Sequence, residues 1–486
     1  MPIRLISRLT FLLAASLALT GCLSANGNGP IVPLQIAASE PGTAATLAAE
    51  EAIGAREHPR IVEAFGGVYE DQELETRLVA MLRQVIAASD EPGRVYRLTL
   101  LNSPIINAFA LPGGYIYITR GLLGLANDEA EVAAVVAHEI GHVTERHAIS
   151  REQEVRTAAV IDRVLADVLS DPSAAQVAIL ANGVSLAQFS QNQELEADEI
   201  GVRTIGRAGY DPFAAARFLE TMERFNALQS LPLERSVPDF LSSHPSTPLR
   251  IDAALRVARQ FGAPGIGETQ RARYLNAIDG IQFGDATDQG VVRGQRFLHA
   301  ALGIGFEVPD GFRIDNTSQA VLGAHEDGRA LRFDGVELRR GQSLEAYLQS
   351  GWIAGLDAGS IERISVNGLS GAIANAAAGG WAFRVAVFQV DDRVYRFIFA
   401  NNRRTTAFTR AASEVVASFR RLSPSERAGI EPLRINVVSV RSGDTVASLS
   451  RRMAIGGDRQ ALFRVINALA PGDRLQVGSQ VKLIVE

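Results

Sequence analysis

In the stretch VVAHEIGHVTERHA three histidines, His138, His142 and His147, stand around a single glutamate, Glu139. Residues four apart on a helix lie one turn apart on the same face, so His138 and His142 can each direct a ring nitrogen at one cation. Glu139 is then close enough to handle a proton. The chemistry this pattern supports is metal-assisted hydrolysis. A helix is expected here, because Asp128 followed three residues later by Glu131 is a capping-box start, and AEVAAVVAHE continues with helix formers and an apolar face. His147 falls about 180° around such a helix from His138, at roughly 100° per residue, and is excluded from the ion unless the helix breaks. A longer pattern with glycine at 145 and a further histidine at 148 is also excluded, since those positions hold Glu145 and Ala148.

A catalytic zinc ion takes three protein ligands and keeps one position open, so a third donor must come from elsewhere in the chain. The candidate is NQELEADEIG, where Glu194 and Asp198 are again one turn apart. Glu194 would bind the ion, and Asp198 would hydrogen-bond a ligand histidine and fix its ring. The alternative for this stretch is an acidic helix face turned to water.

The elements that must position these side chains follow from periodicity and composition. With 486 residues, 47% of them hydrophobic, the chain can bury several cores, and about two to four domains are expected. The formal net charge is −6 and the basic residues are scattered, which gives no footprint for a nucleic acid. Residues 52–261 carry helical periodicity, interrupted by YRLTLLNSPIINAFALPGGYIYITRGLL, which alternates like strands around Pro112, Gly113 and Gly114. Residues 262–293 are rich in glycine and polar groups and read as a linker with one short helix. Residues 294–422 hold more strand-like runs than helices, with a hairpin expected at Asp391-Asp392, and read as an α+β accessory domain with an antiparallel sheet. Residues 433–486 open and close with strands around two short helical segments. The fold class expected is therefore α+β and multidomain.

The first residues, MPIRLISRLTFLLAASLALTGC, place Arg4 and Arg8 before an apolar run from Leu9 to Leu19, and residues 1–21 read as a secretory signal peptide. LTGC resembles a lipobox, which implies acyl chains on Cys22 and a membrane anchor. Cys22 is the chain's one cysteine, so no intramolecular disulfide is available. The residue after it, Leu23, is not the aspartate that holds many lipoproteins at the inner membrane, so the outer membrane is expected. Residues 22–51 read as a flexible tether. No later segment reaches the roughly 18 apolar residues of a membrane span.

Four motifs in order, NAFALPGGYIYITRGLL, HEIGH, ELEAD and SSHPSTPLR, resemble the zinc metallopeptidase (gluzincin) family of HtpX and the CAAX prenyl proteases, in particular its soluble, periplasmic BepA-like lipoprotein branch. The likeness runs from about His58 to Arg250. It implies one zinc ion held by His138, His142 and Glu194, with Glu139 as general base and Asp198 behind a ligand histidine. It implies also that His244 and Arg250 contact substrate or the oxygen that gains charge, and that the loop histidine can cap the zinc. Asn107, Ala108 and Phe109 would lie at a strand edge that pairs with an extended peptide. The chain lacks the spans of the membrane-embedded relatives and the helical repeat carried by some BepA-like proteins.

The last unit is similar to a LysM module: VRSGDTVASLSRRM, RVINAL and LQVGSQVKLIV follow in the expected order, with Asn467-Ala468 in place of the usual Asn-Gly. Peptidoglycan is the partner such a module implies. The function expected is a zinc endopeptidase that cleaves misfolded or misassembled cell-envelope proteins, lipid-anchored on the periplasmic side. Two readings compete with it: a non-catalytic cell-wall-binding scaffold or holdase, and a peptidoglycan-processing metalloenzyme.

Overall fold

The computed structural model describes residues 44–149, 191–228, 244–317, 320–338 and 341–486. Cys22, the signal-like segment and most of the expected tether lie outside the described residues. The end of that tether is helical, because AATLAAEEAIGA is built from strong helix formers. Helix α1 (Ala44–Ala64) lies across one face of a small mixed sheet, and α2 (Gln72–Ala88) lies on the other. Gly54 permits this approach, since a Cβ there would stand 2.3 Å from the Tyr115 ring.

The sheet has strands β1 (Arg97–Leu101), β2 (Ala108–Leu111) and β3 (Tyr115–Thr119) in the order β1-β3-β2. The central strand β3 alternates: Tyr115 and Tyr117 face α1, while Ile116 and Ile118 face the main core. β2 stands at the edge, and the turn into β3 uses Gly113 and Gly114 at φ 86° and 79°. Helix α3 (Arg120–Leu125) leads to α4 (Glu129–Thr144), where the Asp128 carboxylate accepts from the Glu131 amide at 2.9 Å, as the sequence predicts. A helix over residues 191–207 (α5), then α6 (Ala214–Ala227) and α7 (Pro248–Ala258), complete the helical part.

The segment expected as a linker is folded. Its helix α8 (Arg271–Ala277) buries Tyr274, whose hydroxyl donates to the Leu123 carbonyl at 2.6 Å, and the Thr269 carbonyl accepts from the Glu129 amide at the start of α4. Strand β4 (Gln282–Phe283) joins the C-terminal sheet described below. The abundant glycines that suggested a linker serve as turn points between packed pieces, with left-handed φ at Gly267 and Gly280 among them.

The accessory region is antiparallel throughout. Strands β5 (Val291–Arg293), β6 (Arg296–His299) and β7 (Ile304–Glu307) form one sheet with β15 (Arg420–Arg421), in the order β15-β7-β6-β5. Strands β8 (Phe312–Asn316), β9 (Val321–His325), β10 (Ala330–Glu337), β11 (Leu356–Val366), β12 (Leu369–Ala378), β13 (Trp381–Val390) and β14 (Arg393–Asn401) form a seven-stranded sheet ordered β11-β12-β13-β14-β10-β9-β8. The β13–β14 hairpin turns at Asp391-Asp392, with Asp391 left-handed at φ 58°. Helix α9 (Leu344–Leu348) covers one face; α10 (Thr406–Ser418) covers the other over Phe333, Phe397 and Phe419.

The last unit has the expected order of β16 (Leu433–Ser439), α11 (Val446–Ser450), α12 (Arg459–Ile466) and β17 (Gln480–Val485). It does not stand apart from the helical region. Ile435, Leu449, Phe463 and Leu483 belong to the same core as Leu122, Val136 and Ile140. The fully buried Lys482 ammonium donates to the carbonyls of Gly124, Leu125 and Ala126 at 3.0, 3.0 and 2.7 Å, and so caps the end of α3. Among the described residues no helix is long and apolar enough to cross a membrane.

Candidate active site

Helix α4 is buried along most of its length, so His138 and Glu139 enter the interior with it. It meets α5 through small residues: a Cβ on Gly141 would stand 3.3 Å from the Ala197 Cα, and one on Gly201 would stand 3.1 Å from the His138 backbone nitrogen. That close crossing brings Glu194 to the histidine pair. The His138 Nε2 and His142 Nε2 atoms are 2.9 Å apart, and the Glu194 carboxylate lies 3.5 Å from the first and 3.4 Å from the second. His244, from the turn before α7, adds its Nδ1 at 3.3 Å from His138 Nε2 and 2.9 Å from Glu194.

These four donors lie within 4.8 Å of one another and are buried or nearly so. Tetrahedral ligands at about 2.0–2.1 Å from a zinc ion stand roughly 3.4 Å apart, and the spacings of 2.9 to 3.5 Å quoted above fall within about half an ångström of that. Nitrogen and carboxylate donors are also the chemistry zinc takes. Close beside them, Glu139 Oε1 is buried without a hydrogen-bond partner, 3.6 Å from His244 Nε2, and burial raises its pKa against the pull of His244 and His138. A set of converging lone pairs next to an unsatisfied carboxylate fits a divalent cation and a water or substrate group. The residues present therefore fit zinc.

The surrounding groups fix the donors. Asp198 Oδ1 lies 3.0 Å from His138 Nδ1, so the opposite ring nitrogen is the one turned to the centre. Burial lowers the pKa of His138, but hydrogen bonds to Asp198 and Glu194 outweigh it and bring the value to about 9. Burial would raise Glu194, and the bonds from His138 and His244 more than reverse this. His142 is held well below its ordinary value by burial and by the charge of its neighbours.

Arg250 lies against the carboxylates beside the donor cluster. Its guanidinium is buried and grips Asp198 with two bonds of 2.6 and 2.7 Å, while Nη1 donates to the Pro245 carbonyl at 3.1 Å and lies 3.0 Å from Glu194. Those contacts let it brace two carboxylates. At the expected peptide edge, Ala108 and Phe109 lie on β2 and Asn107 just before it, where its carbonyl accepts from the Thr119 amide at 3.0 Å. Phe109 stacks on Tyr117 on the face toward α1. α4 packs on β2, which is an outer strand of its sheet.

Sequence reasoning missed His147. Helix α4 stops at Thr144, and Arg146 turns the chain with φ 54°. The His147 ring comes back against His142, with the two Nδ1 atoms 2.9 Å apart. The Arg146 guanidinium lies 3.0 Å from Glu50 on α1. No local signal announces this break, since its partner is a residue near the start of α1.

Comparison with known proteins agrees with this geometry. Residues 72–258 match the profile of peptidase family M48. This region is similar to the peptidase domain of that family. The chain is 29% identical over 262 residues to the beta-barrel assembly-enhancing protease of Yersinia pestis, covering 51% of this chain and 53% of that protein. It is 30% identical over 233 residues to a putative beta-barrel assembly-enhancing protease of Vibrio cholerae, covering 45% and 47%. It is 33% identical over 187 residues to the mitochondrial metalloendopeptidase OMA1 of Arabidopsis thaliana, covering 36% of each. The chain thus spans about half the length, or less, of the curated relatives it matches. In all three the shared part is shorter than either protein, so the likeness covers only part of each chain.

Proposed function

We propose that the chain is a zinc-dependent endopeptidase acting on misfolded or misassembled proteins of the bacterial cell envelope. The observation that carries this reading is the convergence of His138, His142 and Glu194 beside Glu139, whose Oε1 is buried without a hydrogen bond. A zinc ion bound there supplies a Lewis acid that polarises a peptide carbonyl and lowers the pKa of water toward neutrality. Glu139 takes a proton from the attacking water as the new C–O bond forms, and passes it to the nitrogen as the C–N bond breaks. Asp198 and Arg250 hold His138 and Glu194 in register while this happens. An extended substrate adds to the outer edge of β2 through main-chain bonds, which accommodates many sequences.

His244 is a fourth donor, whereas a catalytic ion needs a vacant position. With zinc bound through all four donors, His244 would have to yield its place to water or substrate, or the ion take a fifth ligand. The envelope substrate class rests on the relatives named beta-barrel assembly-enhancing protease, on the signal-like N-terminus and on the lipobox-like LTGC, which would anchor the chain through Cys22 at the periplasmic face of the outer membrane. The C-terminal unit keeps the strand and helix order of a LysM module, and peptidoglycan is its proposed partner.

The test compares casein cleavage and zinc content of the wild type with those of Glu139→Gln. The variant should retain its zinc and lose activity by about a thousandfold, within the range for a removed general base. Equal cleavage by both proteins would refute the assigned base. Release of muropeptides from purified sacculi without proteolysis would favour a peptidoglycan substrate instead.

A further inference from the structure

Both histidines of the H-E-x-x-H motif have a second ring nitrogen facing away from the donor cluster, and the two are handled differently. Behind His138 stands a carboxylate, Asp198. Behind His142 stands another imidazole, His147, itself only 6% exposed. The far nitrogen of His147, Nε2, lies 3.4 Å from Glu196 Oε2, and that carboxylate reaches solvent with its side chain 56% exposed.

The proton positions along this series are forced. A neutral imidazole has one nitrogen that donates and one that accepts. His142 turns Nε2 to the cluster as a lone pair, so its proton sits on Nδ1 and is donated to His147 Nδ1. His147 then carries its own proton on Nε2, which faces the Glu196 carboxylate. Each contact has one donor and one acceptor under this assignment, and the series ends on a charge that favours it. The reverse assignment would put a proton on His142 Nε2, 2.9 Å from His138 Nε2 and inside the donor cluster.

We propose that His147 and Glu196 are positioning residues that lock the tautomer and ring orientation of His142, and so set the metal affinity of the M48 centre. The proposal rests on the zinc reading given above. Its structural cause is the break after Thr144: a helix continued through residue 147 would carry this ring to the far side, and the Arg146 turn, paired with Glu50, returns it. Glu196 lies on α5 two residues beyond Glu194, so one helix supplies a donor to the cluster and a brace to the ligand opposite it. His147 is not a further ligand, since its near nitrogen is spent on His142.

The experiment measures zinc affinity of the full chain by competition with a chelator, for the wild type, His147→Leu, His147→Asn and Glu196→Ala, together with the visible spectrum of each cobalt-loaded protein. His147→Leu should bind zinc about tenfold or more weakly, the usual consequence of removing such a brace, with an altered cobalt spectrum. In His147→Asn the amide oxygen takes the place of Nδ1 as acceptor, and most of the affinity should return. Wild-type affinity and an unchanged cobalt spectrum in His147→Leu would overturn the proposal. Should His147→Leu fail to fold, exposed Glu196→Ala carries the test: about a twofold or larger loss supports the relay, and unchanged affinity with an unchanged spectrum overturns it. A wild-type protein that takes up no zinc would fail the metal reading itself, a result distinct from any difference among the variants.

Discussion

At the scale of single residues, the site divides into groups that face its centre and groups that hold them. Arg250 belongs to the second kind, and Arg250→Lys separates the two roles. Lysine keeps the charge but cannot offer two parallel bonds to Asp198. We expect zinc affinity to fall by about tenfold and the melting temperature to drop. A substrate contact would instead raise KM with zinc binding untouched, and that outcome would return Arg250 to the expected role. Glu194→Ala should remove zinc far more completely than Glu196→Ala in the same chelator competition, since only the first reaches both imidazole Nε2 atoms. The pairs His138 with His142 and Glu194 with Asp198 were legible in the sequence because their spacing is helical and helical spacing is local, and the resemblance to a known family joined the two pairs. Arg250's partners and the return of His147 were not legible, because both depend on α5 or α1, elements distant in the chain.

At the scale of elements, periodicity located most helices and strands, and composition misled where packing overrides it. The glycine-rich stretch before the accessory region read as a linker, yet Tyr274 on α8 is 1% exposed because it plugs the junction of α3 and α4. The tether's last residues are helical for the opposite reason, since their alanine and glutamate content favours a helix that also finds a sheet to cover. His299 offers a test of element stability at the β6–β7 turn. Burial lowers its pKa from 6.5 to about 4, and its Nδ1 accepts from the Leu302 amide at 3.3 Å. A folded-state pKa depressed below the unfolded one gives stability that is present above pH 6.5 and lost as pH falls through 4. The loss is on the order of 2 kcal/mol after allowance for partial exposure. His299→Asn preserves the acceptor without a titrating ring, so its melting temperature should fall less between pH 7 and pH 4 than that of the wild type. An identical pH slope would remove His299 from the account.

At the scale of the whole molecule, the C-terminal unit is joined to the helical region by a shared core and by one lysine. Burial pulls the Lys482 pKa down to about 7 although Glu131 opposes it, and the ammonium still caps three carbonyls. Lys482→Met should lower stability to urea by about 3 kcal/mol, the order expected when buried carbonyls lose their donor. An unchanged midpoint would contradict the cap. A chain stopped at Pro432 should be insoluble and bind no zinc, because Leu122, Val136 and Ile140 lose the apolar groups packed on them. A unit that served only to hold sugar could be removed without that effect, and a soluble, active shortened chain would show it. The sequence marked the unit's own pattern well, but a short strand of alternating residues does not tell which of its faces meets another domain.

The buried lysine also orders events in time. Synthesis delivers α4 hundreds of residues before β17, so a chain still emerging owns its histidines and glutamates but lacks the strand that seals the hydrophobic surface next to them. The apolar surface beside the site is therefore covered only once that distant strand has been made and packed.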